Sequence, residues 1–145
     1  MAEASNAMAV SFELVTPDKL LMSEEVDMVV VPGSEGDFGV LPRHAPLIAT
    51  LRNGVISIYE NDAVTSRIFV GGGVAEVTPD RCTVLAEEAA RLDELSREEI
   101  EARIKEEGER AELSDDEVER RAAEASVDTA RAMLAALEQY GHGGH

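Results

Sequence analysis

The sequence predicts an α+β protein: an antiparallel β-sandwich of about ten short strands, followed by an antiparallel α-helical hairpin. Three observations carry that prediction. Up to Arg91, apolar residues recur at every second position, and beyond it the period lengthens to that of a helix. Turn signals crowd the first part: Thr16-Pro17-Asp18, Arg52-Asn53-Gly54, Asn61-Asp62 and Thr78-Pro79-Asp80. After Arg91, two Ser-x-x-Glu patterns, Ser96 to Glu99 and Ser114 to Glu117, each open a helical run. The expected divisions are a loose terminus over residues 1–9, a sandwich over 10–90, a hairpin over 91–140 and a tail over 141–145.

The strands follow in order. Val10–Pro17 alternates, with Val10, Phe12 and Leu14 on one face. Lys19–Met22 and Glu25–Val31 read as the next two. Pro32 and Gly33 are expected to stop the second of these, and Gly33 and Gly36 to bracket a turn at Ser34-Glu35. Asp37–Leu41 is a short strand with Phe38 and Val40 on one side. Pro42 and Pro46 then confine a second turn around Arg43, His44 and Ala45. Residues 29–47 are thus expected to form one ridged loop at one end of a sheet, with Glu35, Asp37, Arg43 and His44 standing out from it. Leu47–Leu51 follows, then Arg52-Asn53-Gly54 with a candidate positive φ at the glycine. Val55–Glu60 sets Ile56 and Ile58 opposite Val55, Ser57 and Tyr59. Val64–Val70, Val74–Val77 and Arg81–Ala86 complete the set. Gly71–Gly73 reads as a bulge or a close backbone contact. With few aromatic residues, the core is expected to be built from Val, Ile, Leu and Ala.

In the helical part, Ile100, Ile104, Gly108 and Ala111 share a stripe. Gly108 costs about 1 kcal/mol of helix propensity, which suggests a close backbone approach. The second helix is expected from about Asp115 to Tyr140, capped by Ser114. Its expected contact stripe is Val118, Ala122, Ala125, Thr129, Ala132, Ala136 and Tyr140. Alanine dominates that seam, so the hairpin is expected to be only modestly stable. A releasable arm and a static two-helix cap both fit.

The formal charge of −17 is spread over both parts. Such a surface repels phosphate backbones and anionic lipid, so neither nucleic acid nor direct lipid insertion is expected. No run approaches the length of a transmembrane helix, and residues 1–9 carry neither a signal core nor transit-peptide arginines. Cys82 is the only cysteine and reads as a packed thiol. No catalytic constellation emerges. Gly33-Ser34-Glu35-Gly36 lacks the Gly-Lys-Ser/Thr of a phosphate loop. His44 has no second ligand at zinc spacing, and His142 and His145 lie in a Gly-rich tail. The expectation is a non-catalytic interaction module without metal or cofactor.

The stretch PGSEGDFGVLPRHAPL, Pro32 to Leu47, closely resembles the signature of the epsilon subunit of the F-type ATP synthase, shared by its chloroplast counterpart and by the mitochondrial delta subunit. Gly71–Gly73 followed by VAEVTPDRCTVLAEEA, Val74 to Ala89, resembles a second block of that family. The resemblance implies a ten-stranded sandwich plus hairpin at the foot of the rotating central stalk of the F1 sector, coupling proton flow to ATP synthesis. It implies a c-ring interface at Gly33, Ser34, Glu35, Gly36 and Asp37, and a gamma-subunit interface at Arg43 and His44. It further implies contact of the hairpin with the alpha and beta subunits, and a peripheral place on the cytoplasmic face of a bacterial inner membrane. Some family members bind ATP through a [IL]-D-x-x-R-A stretch. Leu92 and Asp93 keep its first half, but Ser96 and Arg97 stand in place of Arg-Ala, so no ATP binding is expected. The second helix carries only Arg120, Arg121 and Arg131 as bases, which suggests a weakly inhibitory hairpin. The rival reading from another class is an acidic adaptor or chaperone-like module presenting its helical arm to basic partners.

Overall fold

The computed structural model describes residues 8–141. They divide into two units, one running to Arg91 and one beginning at Leu92. The first holds ten strands: β1 (Val10–Val15), β2 (Leu20–Val26), β3 (Met28–Gly33), β4 (Gly36–Val40), β5 (Leu47–Leu51), β6 (Gly54–Glu60), β7 (Ala63–Gly71), β8 (Gly73–Val77), β9 (Arg81–Leu85) and β10 (Glu88–Arg91). They form one curled sheet in the order β10-β7-β6-β3-β5-β8-β9-β1-β2, with β4 paired to β3. Every pairing is antiparallel except β1 with β9.

Alternation puts one face of each strand into the core. Val10, Phe12 and Leu14 of β1 are buried, as are Val29 and Val31 of β3, Ile56 and Ile58 of β6, and Cys82 and Val84 of β9. Phe12 and Phe69 are fully buried as well, so two aromatic rings join the expected aliphatic core. The edge strand β2 carries exposed Ser23, Glu24 and Glu25, charges that discourage pairing with another chain.

Several expectations need correction. The break expected between Met22 and Glu25 lies instead at Asp27, where the chain leaves β1's neighbour and joins β6. Asp27 anchors that corner, its N–H donating to Tyr59 O at 3.0 Å and its Oδ2 accepting from Asn61 N–H at 2.7 Å. Pro32 and Gly33 do not stop β3. They pair with Asp37 and Gly36 of β4, and the Pro32 carbonyl accepts from Arg52 N–H. Gly54 has no positive φ. Its reason is space, since a Cβ there would stand 2.8 Å from Pro32 Cβ. Of the about ten strands expected, β10 falls at Glu88–Arg91, where none was placed because EAAR carries helix formers; pairing with β7 overrides that preference. At Gly71–Gly73 a bulge-like turn and a close approach both occur: Gly72 has φ 74° and Gly73 φ 126°, and a Cβ on Gly73 would lie 2.2 Å from Leu85 O. The Asn61-Asp62 hairpin matches the expectation, with φ of 56° and 66°, as a two-residue turn of the I′ kind requires.

The second unit opens with a 3-10 turn at Leu92–Glu94, then α1 (Arg97–Leu113) and α2 (Glu117–Tyr140). Ser96 caps α1 as expected, its Oγ accepting from Glu99 N–H at 3.2 Å. The cap of α2 is Asp116 rather than Ser114. Its Oδ1 accepts from Val118 N–H at 2.8 Å and Glu119 N–H at 3.4 Å, while Ser114 ends α1. A carboxylate is the better partner for the positive end of a helix, and it shifts the start downstream. The two helices pair as an antiparallel hairpin, with Arg103 Nε donating to Ser126 Oγ at 2.9 Å and Arg97 3.8 Å from Glu138.

The expected stripe on α2 is wrong in its first half. Val118, Ala122 and Ala125 are exposed, and the buried positions are Ala123, Val127, Ala130, Met133 and Ala136. Counting from Val118 started the stripe on a first-turn residue that faces water; one position of error turns a helix face by about 100°. The α1 stripe holds, with Ile100 buried and Ile104, Gly108 and Ala111 half-buried. No close approach explains Gly108, since a Cβ there would meet nothing within 4 Å.

Candidate functional site

The expected single ridge is in fact two separate sites at opposite ends of β4. Five residues of strand hold them roughly 15 Å apart.

The first end is the β3–β4 hairpin. Gly33 pairs with Gly36 across Ser34 and Glu35. Residues 34–37 are exposed, whereas Pro32 and Gly33 are buried. Both glycines are required, for different reasons. Gly36 has φ 137°, which L side chains avoid. A Cβ on Gly33 would lie 2.7 Å from Gly36 O and 3.0 Å from the Phe38 ring. The hairpin is gripped by the β5–β6 corner: Ser34 N–H donates to Thr50 O at 2.8 Å, and Arg52 N–H to Pro32 O at 3.0 Å. The Arg52 guanidinium donates through Nη1 to Gly33 O and through Nη2 to Asp37 Oδ1, both at 2.5 Å. Asp37 is therefore matched within the chain, while Glu35 has no hydrogen-bond or ion-pair partner among the described residues.

The second end is the Leu41–Pro46 loop. His44 N–H donates to Leu41 O at 3.1 Å, closing a turn with Pro42 second and Arg43 third. Arg43 has φ 70°, the value a type II turn needs at that position and one that usually falls to glycine. A non-glycine residue held there stores about 1 kcal/mol or more of strain, and such strain concentrates at functional sites. The turn is tied down by Arg43 N–H donating to Pro79 O at 2.8 Å. The His44 ring Nδ1 donates to Ala45 O at 2.7 Å, which leaves Nε2 for a partner. Arg43 is exposed and His44 half-buried.

Beginning beside the tip, where Thr50 accepts from Ser34 N–H and pairs with Val74, lies a feature that sequence reading missed. On the outer face, Val74 of β8 pairs with Leu85 of β9, Leu85 with Val15 of β1, and Val15 with Leu20 of β2. Leu20 is 56% exposed and Leu85 51%, with Ile48 of β5, at 71%, diagonal to Val74. This is an apolar row across five strands. Each residue alone looked like an ordinary outward position; only the register lines them up. Surfaces of this kind mark protein contacts.

Leu92 is buried and Asp93 exposed at the 3-10 turn. Arg97 faces carboxylates, 3.9 Å from Glu101 and 3.8 Å from Glu138. Residues 142–145, with both tail histidines, and residues 1–7 lie outside the described residues. Among the described residues no group of three or more His, Cys, Asp or Glu side chains is placed to hold a metal ion, and no helix is long and apolar enough to cross a membrane.

Comparison with known proteins identifies the relatives. Residues 9–92 match the family of the ATP synthase delta/epsilon chain β-sandwich domain. The ATP synthase epsilon chain of Rhodospirillum rubrum is 53% identical over 130 residues, covering 90% of this chain and 97% of that one. The epsilon chain of Granulibacter bethesdensis is 45% identical over 132 residues, covering 91% and 97%. Among solved structures, a chain of the Euglena gracilis mitochondrial ATP synthase, from its OSCP/F1/c-ring part, superposes with a TM-score of 0.72 at 22% identity, covering 90% of this chain and 82% of that one. A chain of the Tetrahymena thermophila mitochondrial ATP synthase central stalk and c-ring superposes at 0.57 and 18% identity, covering 88% and 95%. At those identities the structural likeness concerns the fold.

Proposed function

The chain belongs to the ATP synthase delta/epsilon family, and from that premise we propose how its surfaces are divided among its partners. As an epsilon chain it is a non-catalytic rotor subunit of the F1 central stalk and a peripheral part of the membrane-bound complex. The acidic hairpin tip, residues 33–37, is the end turned to the ring of c subunits. The strained turn at Arg43 and His44 meets the gamma subunit. The complex lies on the cytoplasmic face of a bacterial inner membrane. The observation that carries this reading is the two-ended arrangement: a clamped, charged tip and a clamped, strained turn, joined by a rigid strand. A torque-transmitting adapter needs stiff contacts at both ends.

The hairpin is a weak brake on hydrolysis through the alpha and beta subunits. Two of the basic residues of α2 are already engaged within the helix, Arg120 and Arg121 both pairing with Glu117. With Arg97 turned to Glu101 and Glu138, no arginine stands where the family's nucleotide motif has one, so this subunit does not bind ATP.

The test is co-purification and pumping. Tagged chain should carry gamma and the catalytic hexamer with it, and Glu35→Lys should keep that association while lowering ATP-driven proton pumping in reconstituted vesicles. Recovery of varied basic clients without gamma would support the adaptor reading instead. Deleting residues 92–145 should raise ATP hydrolysis only slightly; a several-fold rise would refute the weak brake.

A further inference from the structure

We propose that Arg52 is the positioning residue of the acidic tip, and that Asp37 serves as its counter-ion rather than as a contact of the c ring. Glu35 is then the one charge the tip offers to a partner. This rests on the reading of residues 33–37 as the c-ring end.

The geometry uses both arms of one guanidinium. Nη1 holds the last residue of β3, at Gly33 O, and Nη2 holds the second residue of β4, at Asp37 Oδ1, each at 2.5 Å. A planar fork spans the two strands at the base of the turn, which a single ammonium cannot do. The backbone of the same corner adds two bonds to the hairpin, Arg52 N–H to Pro32 O and Ser34 N–H to Thr50 O. The two-residue turn is thus fastened to β5–β6 on both sides, with Pro32 O, Gly33 O and Asp37 Oδ1 all accepting from Arg52. Glu35 sits beyond the clamp, exposed and without a partner among the described residues.

Charge bookkeeping points the same way. Asp37 and Arg52 cancel, so the tip presents one net negative charge. While the tip is in water, such a half-exposed pair contributes little. When a partner covers the tip, an unpaired Asp37 would need its own cation across the interface or would carry the full cost of lost hydration; with Arg52 in place it carries neither. The pair makes the tip ready to be covered, and Glu35 supplies the attraction.

The test combines amide hydrogen exchange on the isolated chain with ATP-driven proton pumping by the reconstituted complex. Arg52→Met should speed exchange at Ser34 by roughly two- to fivefold and lower pumping several-fold. Arg52→Lys should recover part of both. Asp37→Ala should lower pumping as Arg52→Met does, with a smaller effect on exchange because the bond from Arg52 Nη1 to Gly33 O remains, and the double variant should be no worse than Arg52→Met, because both act through the same link. Deficits that multiply in the double variant would show that Asp37 touches the partner itself and would overturn the proposal. Unchanged exchange at Ser34 in Arg52→Met would overturn it too. If Arg52→Met loosens Ser34 while pumping stays native, and Glu35→Gln also pumps normally, the c-ring reading fails and the clamp stands.

Discussion

Replacing Met133 by alanine tests which face of α2 carries the hairpin. Met133 is 5% exposed and lies on the seam with Val127 and Ala130, whereas Val118 is 76% exposed. Truncation beyond Cβ removes roughly 2 kcal/mol of transfer free energy, at about 0.8 kcal/mol per buried methylene-sized group. A residual cavity adds to this, and the short seam limits it by collapsing, so about 2 kcal/mol is the working figure. Val118→Ala changes an exposed first-turn residue and should shift stability by only a few tenths of a kcal/mol, in the favourable direction of helix propensity. The assay is amide hydrogen exchange of the α1 and α2 amides, which reads local opening of this unit without requiring the sandwich to unfold. Met133→Ala should speed exchange roughly 30-fold, since each 1.4 kcal/mol is a factor of ten. If Val118→Ala loosens the hairpin and Met133→Ala leaves it unchanged, the seam described above is wrong and the face running through Ala122 and Ala125 is the buried one.

Other outcomes follow from single positions. Gly73→Ala should prevent folding of the sandwich, because its Cβ would stand 2.2 Å from a backbone oxygen at φ 126°, whereas Gly72→Ala, at φ 74° with open space around it, should cost about 1–2 kcal/mol in urea unfolding. Asp116→Ala should destabilise α2 by about 1 kcal/mol and Ser114→Ala by less, read by exchange at Val118 and Glu119. Burial pushes the Cys82 thiol from 9.0 up to about 12. The unfolded chain therefore gives up that proton first, and the thiol's contribution to stability is complete below about pH 9 and lost as pH rises toward 12. Urea midpoints should fall more steeply above about pH 9 in the native chain than in Cys82→Ala, and equal slopes would contradict the burial.

Much of the sandwich was legible because half-buried strands announce themselves by alternation and turns by their residues. Ile56 and Ile58 opposite Val55 and Ser57, and the Asn61-Asp62 turn, needed no tertiary information. What failed did so where a distant partner decides. Glu88–Arg91 becomes a strand only because β7 offers an unpaired edge. Gly54 is needed only because Pro32 lies against it. On α2, an Ala-rich sequence offers several nearly equal stripes, and a count begun at Val118 chose the wrong one. The site was half legible. Pro and Gly placement marked both loops, but nothing in the local sequence ties Arg52 to Gly33 and Asp37, or lines up Leu20, Leu85 and Val74. Both arise from strand register. An arginine directly after a strand and before an Asn-Gly turn was the one available signal for the first.

Site-directed cross-linking in the assembled complex tests the division of surfaces most directly. Cysteine placed at Glu35 and, separately, at His44, with Cys82 replaced by alanine, would be joined to neighbouring subunits by a short bifunctional reagent. The two-ended reading predicts that the Glu35 position links to a c subunit and the His44 position to gamma, with little exchange between the two products. Links from both positions to the same subunit, or from Glu35 to gamma and His44 to the c ring, would contradict it.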